Sequence, residues 1–267
     1  TEPLSEDIEI LGAPVVELEI SADQPVAQAA VRLCEVAPND RAARVSFAIL
    51  NLCHRESHEQ PRPLIPGEKY SVSLTLNHIA QRFPKGHRIR LAISSSYWPL
   101  AWPSSRPARL TIYTERSRLI LPIRAPRPED LELRDLGSPQ MAPAPAASLL
   151  APAVREWTVH QNLGSNKVEL RVINNEPRIR LQDHDLELGR EVQEVYSYQN
   201  NDYATIRGFV EQVRHFKRDN WDIRTITRTT MTSTEDCFQI RATLDAFEGD
   251  ARIFARSWDE SILRKLV

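Results

Sequence analysis

The chain has 267 residues, 41% of them apolar, with 34 Lys and Arg against 36 Asp and Glu. That length is enough for two separate cores. The near-neutral balance excludes the basic field a nucleic-acid partner needs, and no apolar run approaches the ~20 residues that cross a bilayer, so neither nucleic acid nor membrane is an expected partner. The three cysteines, Cys34, Cys53 and Cys237, are odd in number and have no Cys-x-x-Cys spacing. They read as free thiols in a cytoplasmic setting, not as a disulfide framework or a zinc site.

The elements follow in chain order. Val16, Leu18 and Ile20 alternate with Glu17 and Glu19, the period of a strand with one apolar face. Residues 31–36 and 44–54 predict a hairpin about Asn39-Asp40, with Val45, Phe47 and Ile49 alternating with Ser46 and Ala48. That pairing sets Cys34 opposite Val45 and Ser46 and leaves Cys53 beyond bonding reach. Tyr70, Val72, Leu74 and Leu76 form the next period-two run. A Pro84-Lys85-Gly86 turn opens a strand in which Ile89, Leu91 and Ile93 alternate with Arg88, Arg90 and Ala92. Tyr97 and Trp98, then Pro99 and Pro103, close it. Leu110 and Ile112, then Leu119, Leu121 and Ile123, complete an antiparallel sandwich over residues 1–124.

Residues 125–153 break the alternation with Pro126, Pro128, Pro139, Pro143, Pro145 and Pro152, and read as an extended linker. Strands resume over 154–267 and are longer. Val168, Leu170 and Val172 alternate with Glu169 and Arg171; Phe238, Ile240, Ala242, Leu244 and Ala246 alternate with Gln239, Arg241, Thr243 and Asp245. Glu248-Gly249-Asp250 predicts a tight hairpin turn, and residues 261–267 predict a short terminal helix. The whole is expected to be all-β, its second half an antiparallel meander or barrel-like domain.

Glu2-Pro3-Leu4, Leu11-Gly12-Ala13-Pro14, Leu50-Asn51-Leu52, Pro66-Gly67-Glu68 and the run from Gly86 to Pro99 occur in one order along the first domain. In that order they resemble the C-terminal, non-catalytic β-domain of the X-Pro dipeptidyl-peptidase and cocaine-esterase-like (CocE/NonD) serine hydrolases, over about residues 1–123. The resemblance implies a jelly-roll β-sandwich, galactose-binding-like, without a cofactor. It also implies a partner, an upstream α/β-hydrolase catalytic domain of the same polypeptide, and it extends more weakly over 154–267. Because the chain begins at Thr1, at the family's domain boundary, it is expected to be a piece of such a hydrolase; homo-oligomerisation stays open.

None of the eight glycines lies four residues from another. A Gly-x-Ser-x-Gly nucleophile elbow is therefore absent, as are the dinucleotide fingerprint and the phosphate-cradling loop. No catalytic residue is assigned, and the chain alone is not expected to be an enzyme. The site candidates are Tyr97, Trp98 and Trp102, aromatic residues placed to plug the sandwich end, to form an interface or to border a substrate cleft. At least one of these rings is expected to be exposed. The other function they allow is an independent carbohydrate-binding module. His54, Glu56 and His58 share a strand parity but lack a further ligand, so no metal is assigned. Arg88 and Arg90 read as a solvated face, and Asp183, His184 and Asp185 as a turn.

Overall fold

The alternation becomes strands throughout the computed structural model, which describes residues 1–267: seventeen strands, two short 3-10 turns and no α-helix. The chain divides into two units, Thr1–Gly137 with Leu266–Val267, and Ser138–Lys265.

The first unit contains β1 (Ile8–Gly12), β2 (Val15–Ala22), β3 (Gln28–Val36), β4 (Ala42–Asn51), β5 (Tyr70–Thr75), β6 (Ile79–Phe83), β7 (Arg88–Ser94) and β8 (Leu110–Ile120). Two antiparallel sheets, β5-β2-β8 and β4-β3-β7, form a jelly-roll β-sandwich, with β1-β6 as a short third ribbon. Val16, Leu18 and Ile20 of β2 join Val72 and Leu74 of β5 in one core with Val31 and Leu33 of β3, Ile89 of β7 and the fully buried Phe83. These apolar positions of β2, β3, β5 and β7 therefore face each other between the sheets.

Gly12, in the Leu11-Gly12-Ala13-Pro14 motif, sits at φ +132, where a Cβ would come within 3.3 Å of Pro122 Cβ. Both the backbone and the neighbour call for glycine there.

The β3–β4 register places Ser46 opposite Leu33 and Ala48 opposite Val31, so these β4 residues share the core-facing side. Phe47 lies opposite Arg32, on the other side of the sheet. A bulge between Leu33 and Cys34 sets Cys34 against Arg44, not against Val45 and Ser46. All three cysteines are free thiols; Cys53 is buried, and burial pushes its thiol pKa up.

The second unit contains β9 (Ala147–Ala151), β10 (Val154–Asn162), β11 (Lys167–Asn175), β12 (Arg178–Leu181), β13 (Leu186–Gln199), β14 (Asp202–Arg218), β15 (Trp221–Ser233), β16 (Cys237–Glu248) and β17 (Ala251–Leu263). They form one antiparallel sheet in the order β10-β11-β13-β14-β15-β16-β17, with β12 pairing β13 and β9. This is the expected meander. It does not close into a barrel, because β10 and β17 are its two unjoined ends.

Turn chemistry drives the meander. Gln199 pairs with Asp202 across Asn200-Asn201, whose φ values of 54 and 55 mark a type I′ turn, and Gly249, at φ 55, opens the two-residue turn between Glu248 and Ala251. Cross-strand register puts Val159, Leu170, Tyr196, Val210, Met231, Ile240 and Trp258 on one face. That face is rich in apolar side chains, and the opposite one carries Glu191, Glu211, Arg228 and Arg241.

Two expectations need correction. The terminal helix does not form: β17 continues through Ser261 and Ile262, which pair with Gln239 and Phe238. The stretch 125–153 is not linker throughout, because β9 lies within it and its Leu149 pairs with Ile179.

Candidate functional site

The loop between β7 and β8 carries Tyr97, Trp98 and Trp102. Its Ala101 N–H donates to the Tyr97 carbonyl at 3.1 Å, and the Trp98–Pro99 peptide is cis. Gln28, at the start of β3, donates through Nε2 to the Trp102 carbonyl at 2.7 Å. Gln28 and Arg32 share one parity on β3, and Phe47 lies opposite Arg32, so all three belong to the side of the sheet that faces away from the core. The loop folds back over that side.

Tyr97 is held by charge and ring contacts together. Its ring meets Phe47 edge-on at 5.9 Å, the Arg32 guanidinium lies 4.9 Å from its centroid, and Arg44 Nη1 donates to its hydroxyl at 2.5 Å. Arg44 also lies 4.7 Å from the Phe47 ring centre. Trp98 and Trp102 pack as a T-shaped pair with centroids 4.9 Å apart. The beginning of the following segment, Pro103-Ser104, is fully buried.

None of the three predicted rings is exposed: all three are half-buried. The apolar side chain the loop offers to solvent is Leu100, 53% exposed. Arg32, Arg44 and Phe47 were missed in the sequence. Arg32, flanked by the core residues Val31 and Leu33, was the one available signal, since period two requires it to point outward.

The remaining candidates do not converge on this loop. His54 and His58 approach through their Nδ1 atoms at 3.3 Å, while Glu56 sits near Arg55 and Arg62 at 3.8 and 4.0 Å. No group of three or more His, Cys, Asp or Glu residues is placed to hold a metal ion. Arg88 pairs with Asp40, and the neighbouring His87 contacts Glu35 through Nδ1 at 2.6 Å. Asp185 takes the positive φ of a turn and accepts an ion pair from Arg180 at 3.6 Å. The sequence also gave no sign of a groove of about 500 Å³ in the second unit, bordered by Arg178, Arg190, His215 and Arg224. Within it Arg190 donates to Glu176 at 2.6 Å.

The sandwich has relatives. The pattern of the family described as X-Pro dipeptidyl-peptidase C-terminal non-catalytic domain matches residues 1–141. The chain belongs to this family. A cocaine esterase of a Rhodococcus species is 29% identical over 99 residues, which is 37% of this chain and 17% of that protein. A Rhodopirellula baltica protein, provisionally named an Xaa-Pro dipeptidyl-peptidase, is 27% identical over 129 residues, or 46% of this chain and 21% of its own length. The chain thus spans about a fifth of the length of the curated relatives it matches. Among solved structures, an α-amino acid ester hydrolase aligns at 28% identity and a TM-score of 0.43, over 46% of this chain and 25% of that one. For this member of the X-Pro dipeptidyl-peptidase C-terminal family, no helix is long and apolar enough to cross a membrane.

Proposed function

We propose that this chain is the accessory β region of a serine hydrolase, an X-Pro dipeptidyl-peptidase or an acyl esterase. Its jelly roll packs on an α/β-hydrolase domain of the same polypeptide and shapes the cleft that receives the acyl or peptidyl group. One observation carries this reading. The family match over residues 1–141 spans the sandwich unit, and the family is non-catalytic by its description. The chain's lack of an elbow fits the same division of labour, in which chemistry belongs to one domain and support to another. The loop bearing Tyr97, Trp98 and Trp102 is the surface proposed to meet the catalytic domain, with Leu100 as its exposed apolar contact.

Incubation of the chain with p-nitrophenyl esters and with Ala-Pro or Gly-Pro anilides should give background rates. Labelling of a single serine by a fluorophosphonate would overturn the accessory role. In the full polypeptide, Leu100→Asp should lower kcat/KM while leaving the melting of the sandwich unchanged. An unchanged kcat/KM removes the loop from the cleft and from the interface. The carbohydrate-module reading needs a flat ring face open to solvent, and the edge-to-face, half-buried Trp98 and Trp102 disfavour it. Tryptophan fluorescence that shifts on titration with simple sugars would restore it.

A further inference from the structure

We propose that β17 is the contact by which two copies of this chain associate, the two strands pairing antiparallel about a two-fold axis through Trp258. β17 ends the large sheet and is bonded to β16 alone, so one side of its backbone has no strand partner. Along its whole length every residue but Trp258 is exposed. It contains no proline or glycine to discourage pairing, and a strand with that profile is a template for another strand.

The side chains say which strand fits. Register with β16 sets Phe254, Arg256, Trp258, Glu260 and Ile262 on one face, and Ala255, Ser257, Asp259 and Ser261 on the other. A two-fold axis perpendicular to the sheet keeps equivalent faces together and makes each contact occur twice. With Trp258 on that axis, Arg256 lies opposite Glu260 of the second copy, and Glu260 opposite its Arg256. Phe254, 48% exposed, meets Ile262, 51% exposed, at both ends. On the reverse face Ala255 meets Ser261 and Ser257 meets Asp259, with no like charges opposed.

The alternatives are worse. Moving the axis two residues toward the N-terminus opposes Arg256 to Arg256, and moving it two residues the other way opposes Glu260 to Glu260. An axis through Asp259 opposes Asp259 to itself, and one through Ser257 opposes no like charges but sets Phe254 against Glu260 and pairs no opposite charges. Cross-strand pairs of opposite charge favour a register and like charges oppose it, so the register centred on Trp258, which alone sets Arg256 opposite Glu260, is favoured. Arg256 is also available for this role. Within the chain its guanidinium rests 4.8 Å from the Trp258 ring centre, beside the proposed axis, and forms no ion pair.

Sedimentation velocity over a wide concentration range tests the proposal on the chain as it stands. The unaltered chain should form a dimer that goes no further. Arg256→Glu and Glu260→Arg should each raise the dissociation constant at least tenfold by opposing like charges. The double variant carrying both changes should dimerise again. An equimolar mixture of the two single variants should form a mixed dimer, because both of its 256–260 pairs are then opposite in charge. That mixture also guards against misfolding, since unfolded chains could not rescue one another. A monomer at every concentration overturns the proposal. So does a dimer indifferent to both single reversals. Concentration-dependent filaments overturn it as well, because they would mean β17 pairing with β10 of the next copy in a contact that never closes.

Discussion

Trp98 and Trp102 meet edge to face, centroids 4.9 Å apart and planes at 84°, with only Pro99, Leu100 and Ala101 between them in sequence. The pair is itself a clamp on the loop. Each truncation, Trp98→Ala or Trp102→Ala, should cost less than the ~3–5 kcal/mol of a fully buried ring, since both are half-buried. A double-mutant cycle read by urea unfolding should give a coupling of about 0.5–1.5 kcal/mol. Strict additivity would mean that the rings anchor the loop independently.

Tyr196 provides a pH prediction. Burial first, and then the hydroxyl's hydrogen bond to Glu194 Oε2 at 2.6 Å, push its pKa up to about 12. The folded state thus holds this proton more tightly than the unfolded chain, whose tyrosines ionise near ~10. The contribution is fully present below pH ~10, declines as pH rises towards about 12, and falls no further beyond it. Ultraviolet difference titration should show one tyrosine lagging the others, and Tyr196→Phe should remove that late step. Simultaneous ionisation of every tyrosine would contradict the assignment.

The Asn200-Asn201 turn makes a third test. Both residues are left-handed, at φ 54 and 55, where a β-branched side chain is strained. Asn201→Val should cost roughly 1–2 kcal/mol in a thermal melt. Asn201→Gly should leave stability level or raise it slightly, because glycine adopts this conformation without strain.

The two units are proposed to carry separate cores. Met141, 82% exposed, lies in a stretch without regular structure between the short 3-10 turn at Pro128–Glu132 and β9. Limited proteolysis should cut first between residues 133 and 146, and mass spectrometry should find two resistant pieces. Resistance of that stretch, together with a single cooperative melt, would show one fused folding unit.

The sequence disclosed strands wherever one face met a core. Val16-Leu18-Ile20 and Phe238-Ile240-Ala242 could hardly be anything else, because their period is two and their apolar residues are consecutive on one face. It misled at Ser261-Ile262-Leu263-Arg264, where a short mixed run carries no clear period and pairing with β16 decides the outcome. It also hid the aromatic loop's seat. Phe47 looks like a core residue until the register places it opposite Arg32, and register is a property of two segments together. The grip of Arg44 on Tyr97 was invisible for the same reason, since the two lie 53 positions apart.

The two units also differ in how far apart in the chain their paired strands lie. In the sandwich, β2 pairs with β8, so Ile20 must find Ile112. In the large sheet, from β13 to β17, every strand pairs with its immediate successor through a short turn. Short loops close quickly and long ones slowly, so folding rate follows this difference more than it follows stability. The second unit, made after the first on the ribosome, should therefore assemble one hairpin at a time and finish early. In the first, one edge of β2 must wait unpaired until β8, which ends at Ile120, has been synthesised.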